Sequence, residues 1–222
     1  MTAVYALIPC CLLLAGGFLT AERRNRPRLA LLLKGLASLC FVALGLLCGG
    51  RSLVTAGLAL GCIADVVLGL RKLFKSRRTL FFLAGSVVFL CGHLAYLAAV
   101  WPMGRSPALC LLLGLAAGAA LLGLLYSQIE AGRALRAFGA VYFGVFSLLC
   151  AAAIRNAAAA PGGFNVLFAA GVLLFMSSDV LLNLYSFGRK KPGYPWRVTY
   201  SLLYYAGQLL IALSLRFISQ TA

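Results

Sequence analysis

The sequence predicts an all-α integral membrane protein, an eight-helix transmembrane bundle that forms a single domain over residues 1–222. Hydrophobic residues make up 63% of the chain and its mean hydropathy is +1.00, whereas roughly half of a soluble domain is apolar. Apolar runs of about 20 residues, the length that crosses a bilayer as a helix, follow one another with short loops between them. Alternation with a period of two is absent and open sheets cannot span lipid, so these runs are expected to be helices.

Eight such runs can be counted, near residues 2–20, 29–48, 52–70, 79–100, 107–127, 134–154, 163–187 and 198–218. The first is expected to be a retained span and not a signal peptide, because its positive charges follow it and none precedes it. Eight cysteines lie in or at the ends of these runs without a CxxC pair or a Cys/His cluster. We interpret them as small buried hydrophobic residues.

The net charge of +16 predicts a membrane orientation, because the basic residues are concentrated in alternate loops. Only Arg51, Arg105, Arg155 and Arg216 lie on one side, and Lys34 lies within helix two. The other 15 of the 20 are Arg23, Arg24, Arg26, Arg28, Arg71, Lys72, Lys75, Arg77, Arg78, Arg133, Arg136, Arg189, Lys190, Lys191 and Arg197. The positive-inside rule places these 15 in the cytoplasm and both termini outside it, in the inner membrane if the source is bacterial. No nucleic-acid partner is expected, and the basic loops should attract anionic lipid headgroups.

Asp65 and Asp179 are the strongest candidates for a functional site. The chain has only four acidic residues, and these two lie inside apolar runs, within the similar segments 61–68 and 176–182. A charge at membrane depth costs several kcal/mol, so such a carboxylate is usually neutral, paired or functional. A clamp between helices is the structural alternative, but two carboxylates in matching contexts favour a site.

A weak internal repeat surrounds the two aspartates. Asp65 is followed 28 residues later by His93, within Gly-His-Leu, and Asp179 is followed 29 residues later by Gln208, within Gly-Gln-Leu. The aspartates lie in helices three and seven and their partners in helices four and eight. Spans four apart have the same orientation, so the pattern predicts a four-plus-four parallel repeat about an axis along the membrane normal.

Several polar residues are expected at a depth similar to that of the aspartates. Counting about 1.5 Å of rise per residue from the nearest cytoplasmic basic residue places the band about 9 to 16 Å deep, with His93 deeper. Lys34 is a candidate counter-ion for Asp65, although its long side chain could reach the interface instead. A buried tyrosine hydroxyl needs a partner, and an amide in lipid must bond across helices or in the site. The members of the band are Lys34, Asp65, Tyr142, Asp179, Tyr204 and Gln208.

These segments resemble the YhhN family of eight-span membrane proteins, whose characterised members are lysoplasmalogenases. The resemblance runs from helix two to helix eight. Helix two has Lys34-Gly35 where the family usually has Lys-Pro, which affects the expected local helix geometry. The remaining motifs are Asp65-Val66-x-Leu68, Phe89-x3-His93-x2-Tyr96, Tyr142, Phe175-x2-Ser178-Asp179-x2-Leu182 and Tyr204-Tyr205-x2-Gln208.

The resemblance implies hydrolysis of the vinyl-ether bond of a lysoplasmalogen to a fatty aldehyde and a glycerophospho-base, with a lysophospholipid substrate and membrane lipids as partners. It implies two catalytic carboxylates, Asp65 and Asp179, and no metal or organic cofactor. Such chemistry divides an acid and an anion between two carboxyl groups. Asp65, level with Lys34, suits the anion and Asp179 the acid, although the reverse assignment is open. The supporting residues would be Lys34, His93, Tyr96, Tyr142, Tyr204, Tyr205 and Gln208.

Two other functions compete with the hydrolase. One is a proton-coupled transporter or a lipid-binding membrane protein. A proton-coupled carrier would use the same two carboxylates as relay groups, and parallel repeats are features of transporters. An intramembrane aspartyl protease is disfavoured because Gly61-x3-Asp65 does not form a GxGD motif. Turnover in detergent distinguishes an enzyme from a carrier, which needs a sealed membrane.

Overall fold

A computed structural model describes residues 2–50, 52–190 and 192–220, and within them it contains eight α-helices. They are α1 (Thr2–Arg23), α2 (Pro27–Gly49), α3 (Leu53–Leu70), α4 (Arg78–Val100), α5 (Pro107–Gln128), α6 (Arg133–Ala159), α7 (Gly163–Phe187) and α8 (Tyr194–Ser214). All eight are long and apolar enough to cross a membrane, which confirms the expected all-α bundle. Arg51 and Lys191, both used in the charge argument, lie outside the described residues.

Two helices have bounds that differ from those that the hydropathy pattern predicts: α8 is shifted toward the N-terminus and α6 is longer. Helix α8 begins four residues early, at Tyr194, because a proline in its first turn fixes a helical φ where no backbone donor is needed. Helix α6 continues to Ala159, five residues past the expected end. There the Asn156 side chain donates a 2.8 Å hydrogen bond to the Val100 carbonyl, and this bond joins the ends of α6 and α4.

Seven helices form a closed ring in the order α1, α2, α3, α4, α6, α7, α8, and α8 packs again on α1. Helix α8 also contacts α2 and α3, so it lies closest to the interior of the bundle. Helix α5 lies outside the ring, packs mainly on α6, and leaves most of its surface to lipid. Because α8 is surrounded by other helices, it can carry the polar side chains that lipid would exclude.

The two halves of the chain pair their helices in the same way. The closest pairs are α3 with α4 and α7 with α8, and the contact of α4 with α6 has its equivalent in that of α8 with α2. A Cβ added to Gly92 would lie 3.3 Å from the Gly57 carbonyl oxygen, and one added to Gly207 would lie 2.7 Å from that of Gly171. Gly57 and Gly171 each precede an aspartate by eight residues. These pairings are those that a four-plus-four repeat requires.

The loops after α1, α3, α5 and α7 share one end of the bundle, which we call the basic end because it carries most of the positive charge. At this end, the backbones of the α5–α6 and α7–α8 loops pair around Ile129 and Gly188. The Glu130 amide donates to the Phe187 carbonyl at 2.8 Å, and the Arg189 amide to the Gln128 carbonyl at 2.9 Å. The outer helix α5 is thereby connected to α7 through its loop.

Candidate functional site

Asp65 lies at the centre of a network that joins three helices. Its side chain belongs to α3, and the residue is only 1% exposed. The Lys34 ammonium of α2 lies 2.7 Å from its Oδ1. The hydroxyls of Ser38 and Tyr204 donate hydrogen bonds to its Oδ2, at 2.6 Å and 2.7 Å. A buried carboxylate is tolerated when it is paired and hydrogen-bonded, and Asp65 has both kinds of partner.

Asp179 occupies the equivalent place on α7 with fewer partners. It is 4% exposed, and its Oδ2 accepts a hydrogen bond from the Tyr142 hydroxyl of α6. Among the described side chains no lysine or arginine forms an ion pair with it. The backbone carbonyl of Asp179 accepts a 2.9 Å hydrogen bond from the side-chain amide of Asn183, which lies one turn further along α7. The two carboxyl groups therefore differ in their surroundings.

Both carboxyl groups line one cavity, which we call the central cavity and which extends from the bundle interior toward the basic end. It encloses about 700 Å³ of empty space, its mouth included. The candidate residues on its wall are Lys34, Asp65, Asp179, Tyr204 and Tyr205. The Tyr205 hydroxyl makes a long 3.4 Å contact with the Lys34 carbonyl. The arrangement can hold a polar group against two unlike carboxyl groups, both of which are buried.

A second space, lined by both aromatic and polar side chains, adjoins the first and is called here the side cavity. The space between its lining atoms is about 430 Å³, including the part that is open to the outside, and its wall includes Tyr142, Phe82, Phe138 and Phe143. Asp179 lines both spaces. A molecule that occupied both spaces would therefore pass Asp179 at the junction.

Gln208 and Tyr96 bond to each other beside the central cavity and do not line it. The Tyr96 hydroxyl donates to the Gln208 Oε1 at 2.9 Å, which joins α4 to α8. The Gln208 Nε2 is buried without a partner in the described part of the chain. A Cβ added to Gly61 would lie 3.1 Å from that nitrogen and 3.6 Å from the Tyr204 hydroxyl, so Gln208 is adjacent to the Asp65 network.

His93 lies in an aromatic cluster and not on the wall of the central cavity. It is fully buried, and its ring stacks on Phe146 with a centroid separation of 3.9 Å. Its ring also meets Tyr142 edge-on at 5.0 Å, so it touches the tyrosine that bonds Asp179. Neither ring nitrogen has a hydrogen-bond partner among the described residues. His93 can thus position Tyr142 by packing, but it has no contact with either carboxyl group through a hydrogen bond.

Two residues of this arrangement, Ser38 and Arg197, were not predicted from the sequence to have these roles. Ser38 follows Lys34 by one helical turn and so faces the same way, a spacing that could have suggested it as an Asp65 partner. Arg197 was assigned to a cytoplasmic loop, but it lies in the first turn of α8 and is 8% exposed. It forms an ion pair with Glu22 at the end of α1, and this acidic partner is what allows the guanidinium to be buried.

Neither the cysteines nor a metal centre contributes to the candidate site in the described part of the chain. All eight cysteines are free, and Cys10 and Cys91 are exposed on the outer face of the bundle, whereas five others are buried. Among residues 2–50, 52–190 and 192–220, no group of three His, Cys, Asp or Glu side chains could hold a metal ion. Glu130, outside the site, is exposed at the basic end.

Comparison with known proteins identifies one family. The model of the YhhN family matches residues 29–215, from the beginning of α2 to the residue after α8, and so includes both aspartates and every candidate side chain named above. No curated protein and no solved structure matches the chain.

Proposed function

The chain belongs to the YhhN family, and from that premise we propose that it is a lysoplasmalogenase-like ether hydrolase that works within the membrane. Its substrate would be a lysophospholipid with a vinyl-ether chain. One observation carries the proposal: two buried carboxyl groups with unlike partners, Asp65 and Asp179, line the same cavity. Paired carboxyls in different surroundings are how several hydrolases separate an acid from an anion.

Asp65 serves as the anion in this proposal. Its two oxygens face the Lys34 ammonium and the hydroxyls of Ser38 and Tyr204, all of which are donors. Asp179 serves as the acid, because its bonded partner is a single tyrosine hydroxyl and no described cation pairs with it. This is the assignment that the sequence favours.

The reaction begins when the Asp179 carboxyl gives its proton to the β-carbon of the vinyl ether. The electron pair of the double bond forms the new C–H bond, and the ether oxygen shares the positive charge as an oxocarbenium ion. The Asp65 carboxylate stabilises that charge. Water then adds to the α-carbon and returns a proton to Asp179, and the resulting hemiacetal separates into an aldehyde and the glycerol hydroxyl. The net reaction consumes one water and needs no nucleophilic side chain.

In this proposal the substrate occupies both cavities. The alkenyl chain would lie in the side cavity against Phe138 and Phe143, and the glycerol end would lie in the central cavity. The vinyl-ether bond then falls beside Asp179, at the junction. This placement puts the acid next to the carbon that it must protonate.

The test is an aldehyde assay with purified protein and lysoplasmenyl-ethanolamine or lysoplasmenyl-choline in detergent. General acid–base help is worth about 10²–10⁴-fold in rate, so Asp65→Asn and Asp179→Asn should each lose about that much. Glu130→Gln is the matched control, because it makes the same acid-to-amide change at an exposed position and should leave the rate unaltered. An acyl-ester lysophospholipid should be cleaved poorly by all of them. Full activity in both Asn variants, or efficient ester cleavage, contradicts the mechanism.

The same assay addresses the transporter alternative, which the equivalent helix pairing of the two halves keeps in consideration. A proton-coupled carrier would release no aldehyde in detergent and would move lipid only across a sealed membrane. Aldehyde formation in detergent that depends on both aspartates therefore excludes transport as the sole activity.

A further inference from the structure

The mouth of the central cavity opens into a space that we call the basic vestibule, whose charges the reaction does not use. Its wall carries five basic residues and one acidic residue, and the cavity shares part of this wall. They are Arg71, Lys72, Lys75, Arg78, Arg197 and Glu22. Five positive charges around one negative charge leave an excess that attracts an anion.

Glu22 is the anion that now balances part of this charge. Its carboxylate pairs with both Lys72 and Arg197. Arg71 has no acidic partner among the described residues and stacks over the Phe82 ring at 5.6 Å. Burial, and then the neighbouring Arg197 and Arg78 guanidinium groups, lower the pKa of Arg71. A second anion beside Arg71 would relieve this repulsion.

Two buried donors at the inner side of the vestibule lack acceptors. The Arg197 Nε and the Tyr200 hydroxyl have no hydrogen-bond partner within the described chain, although both residues are more than nine-tenths buried. Both residues line the central cavity together with Arg71. A buried donor without an acceptor is costly, so these groups point to an acceptor that the protein itself does not supply.

The distance from the carboxyl groups fits one lipid molecule. Arg71 follows Asp65 by six residues, about 9 Å of helical rise, and Arg197 precedes Tyr204 by seven residues, about 10 Å. A glycerol unit separates the vinyl ether of the proposed substrate from its phosphate. A lipid with its ether bond at Asp179 therefore directs its phosphate toward the basic vestibule.

We infer that Arg71, Arg197 and Tyr200 form a phosphate-ester site, and that Glu22 is a competing carboxylate whose hold on Arg197 weakens when phosphate binds. The identity of the lipid rests on the proposed function, whereas the anion site rests on the unpaired donors and the charge excess. Arg197 is suited to this exchange because a guanidinium can bond a carboxylate through one edge and a phosphate through another.

The experiment measures binding without turnover, by calorimetry on the full chain in an uncharged maltoside detergent at constant ionic strength. The probes are glycerophosphoethanolamine, which has the headgroup and no tail, and inorganic phosphate. Wild-type protein should bind the diester more tightly than inorganic phosphate. Arg71→Gln and Arg197→Gln should each weaken diester binding tenfold or more, and Tyr200→Phe, which preserves the ring, should weaken it by a smaller factor.

Glu22→Gln should change the affinity for the diester in the opposite direction. Because this variant lacks the competing carboxylate, it should bind the diester several-fold more tightly. Arg105→Gln, the loss of an exposed positive charge at the other end of the bundle, is the control and should bind as wild type does. The inference is overturned if Tyr200→Phe and Arg71→Gln, tested as single variants, both bind the diester with wild-type affinity. It is also overturned if Glu22→Gln binds the diester more weakly than wild type does. Binding of inorganic phosphate without the diester overturns the headgroup assignment. Diester binding with no aldehyde formation upholds the site and contradicts the proposed function instead.

Discussion

Asp65 and Asp179 occupy equivalent positions in the two halves of the bundle, but their neighbours differ. Each follows a closely packed glycine by eight residues, on the third helix of its half. The neighbouring helix contributes an ammonium, from Lys34, in the first half and a phenol, from Tyr142, in the second. Each of these side chains lies six residues past the last basic residue of its loop. The repeat thus provides two carboxyls at equivalent positions, and the exchange of Lys34 for Tyr142, together with the additional hydroxyls of Ser38 and Tyr204 on Asp65, makes them chemically unlike.

The largest effect expected from this comparison concerns orientation and is all or none. If the halves are parallel, the loops after α3 and α7 lie on one side of the membrane, and the positive-inside rule predicts that this side is cytoplasmic. Reporter fusions at Lys75 and Lys190 should both give cytoplasmic signals. A signal from the other side at either position would break the equivalence of the two halves.

The next prediction concerns the partners of the two carboxyls. Lys34→Met leaves a buried carboxylate without its cation and should lower the free energy of unfolding by about 3–5 kcal/mol. Tyr142→Phe removes a single hydrogen bond from Asp179 and should cost about 1–3 kcal/mol. Both can be measured by reversible unfolding in mixed micelles. Adding Asp65→Asn to Lys34→Met should recover part of the loss, whereas equal costs for the two single variants would show that the two sites do not differ.

The glycine contacts allow the packing of the two halves to be compared. A Cβ at Gly207 would meet the Gly171 carbonyl at 2.7 Å, and backbone atoms cannot move aside easily. Gly207→Ala should therefore cost about 1–3 kcal/mol of stability, as overpacking does. Gly92→Ala should cost less, because its contact with Gly57 is 3.3 Å. Gly144→Ala is the control, with no atom within 4 Å of the added Cβ.

The smallest expected effect is on the rate of vinyl-ether cleavage. It concerns Gln208 and Tyr96, the hydrogen-bonded pair beside the central cavity. Gln208→Ala removes a hydrogen bond and touches no carboxyl group, so the rate of vinyl-ether cleavage should fall roughly two- to tenfold. Tyr96→Phe breaks the same bond from the other side and should have a similar effect. A loss in Gln208→Ala as large as that in Asp179→Asn would mean that Gln208 contacts the substrate directly.

The sequence predicted the helices from the apolar runs, and it predicted the pairing of Lys34 with Asp65 from their positions along consecutive helices. The match of Lys34 with Asp65 follows from equal depth on consecutive helices, and the two residues do pair. The direction in which a side chain points is harder to predict here, since residues that face lipid and residues that face the core are both apolar. We therefore expected His93 and Gln208 to belong to the site itself. In the structure they lie beside the central cavity without lining it, His93 against Phe146 and Gln208 against Tyr96.

The burial of charged side chains at the basic end could not be predicted from the sequence either. Arg197 belongs to a run of positive charges that predicts a loop, and only the folded chain brings Glu22, 175 residues away, against it. The roles of Asp65 and Asp179 as anion and acid remain predictions. Their different partners support the assignment, and the Asn variants test it.

The Lys34–Asp65 ion pair joins two consecutive helices, and this has a consequence for biogenesis. On biological insertion scales, a lone charged residue at the centre of a helix disfavours entry into the bilayer by about 2.5–3.5 kcal/mol. Helices α2 and α3 are connected by a short turn that includes Gly50 and the helix-capping Ser52, so they can leave the insertion machinery as a hairpin. In such a hairpin the two charges would enter lipid as a neutral pair. Lys34, which distinguishes the two carboxyl groups in the folded protein, would then also lower the cost of inserting the first half.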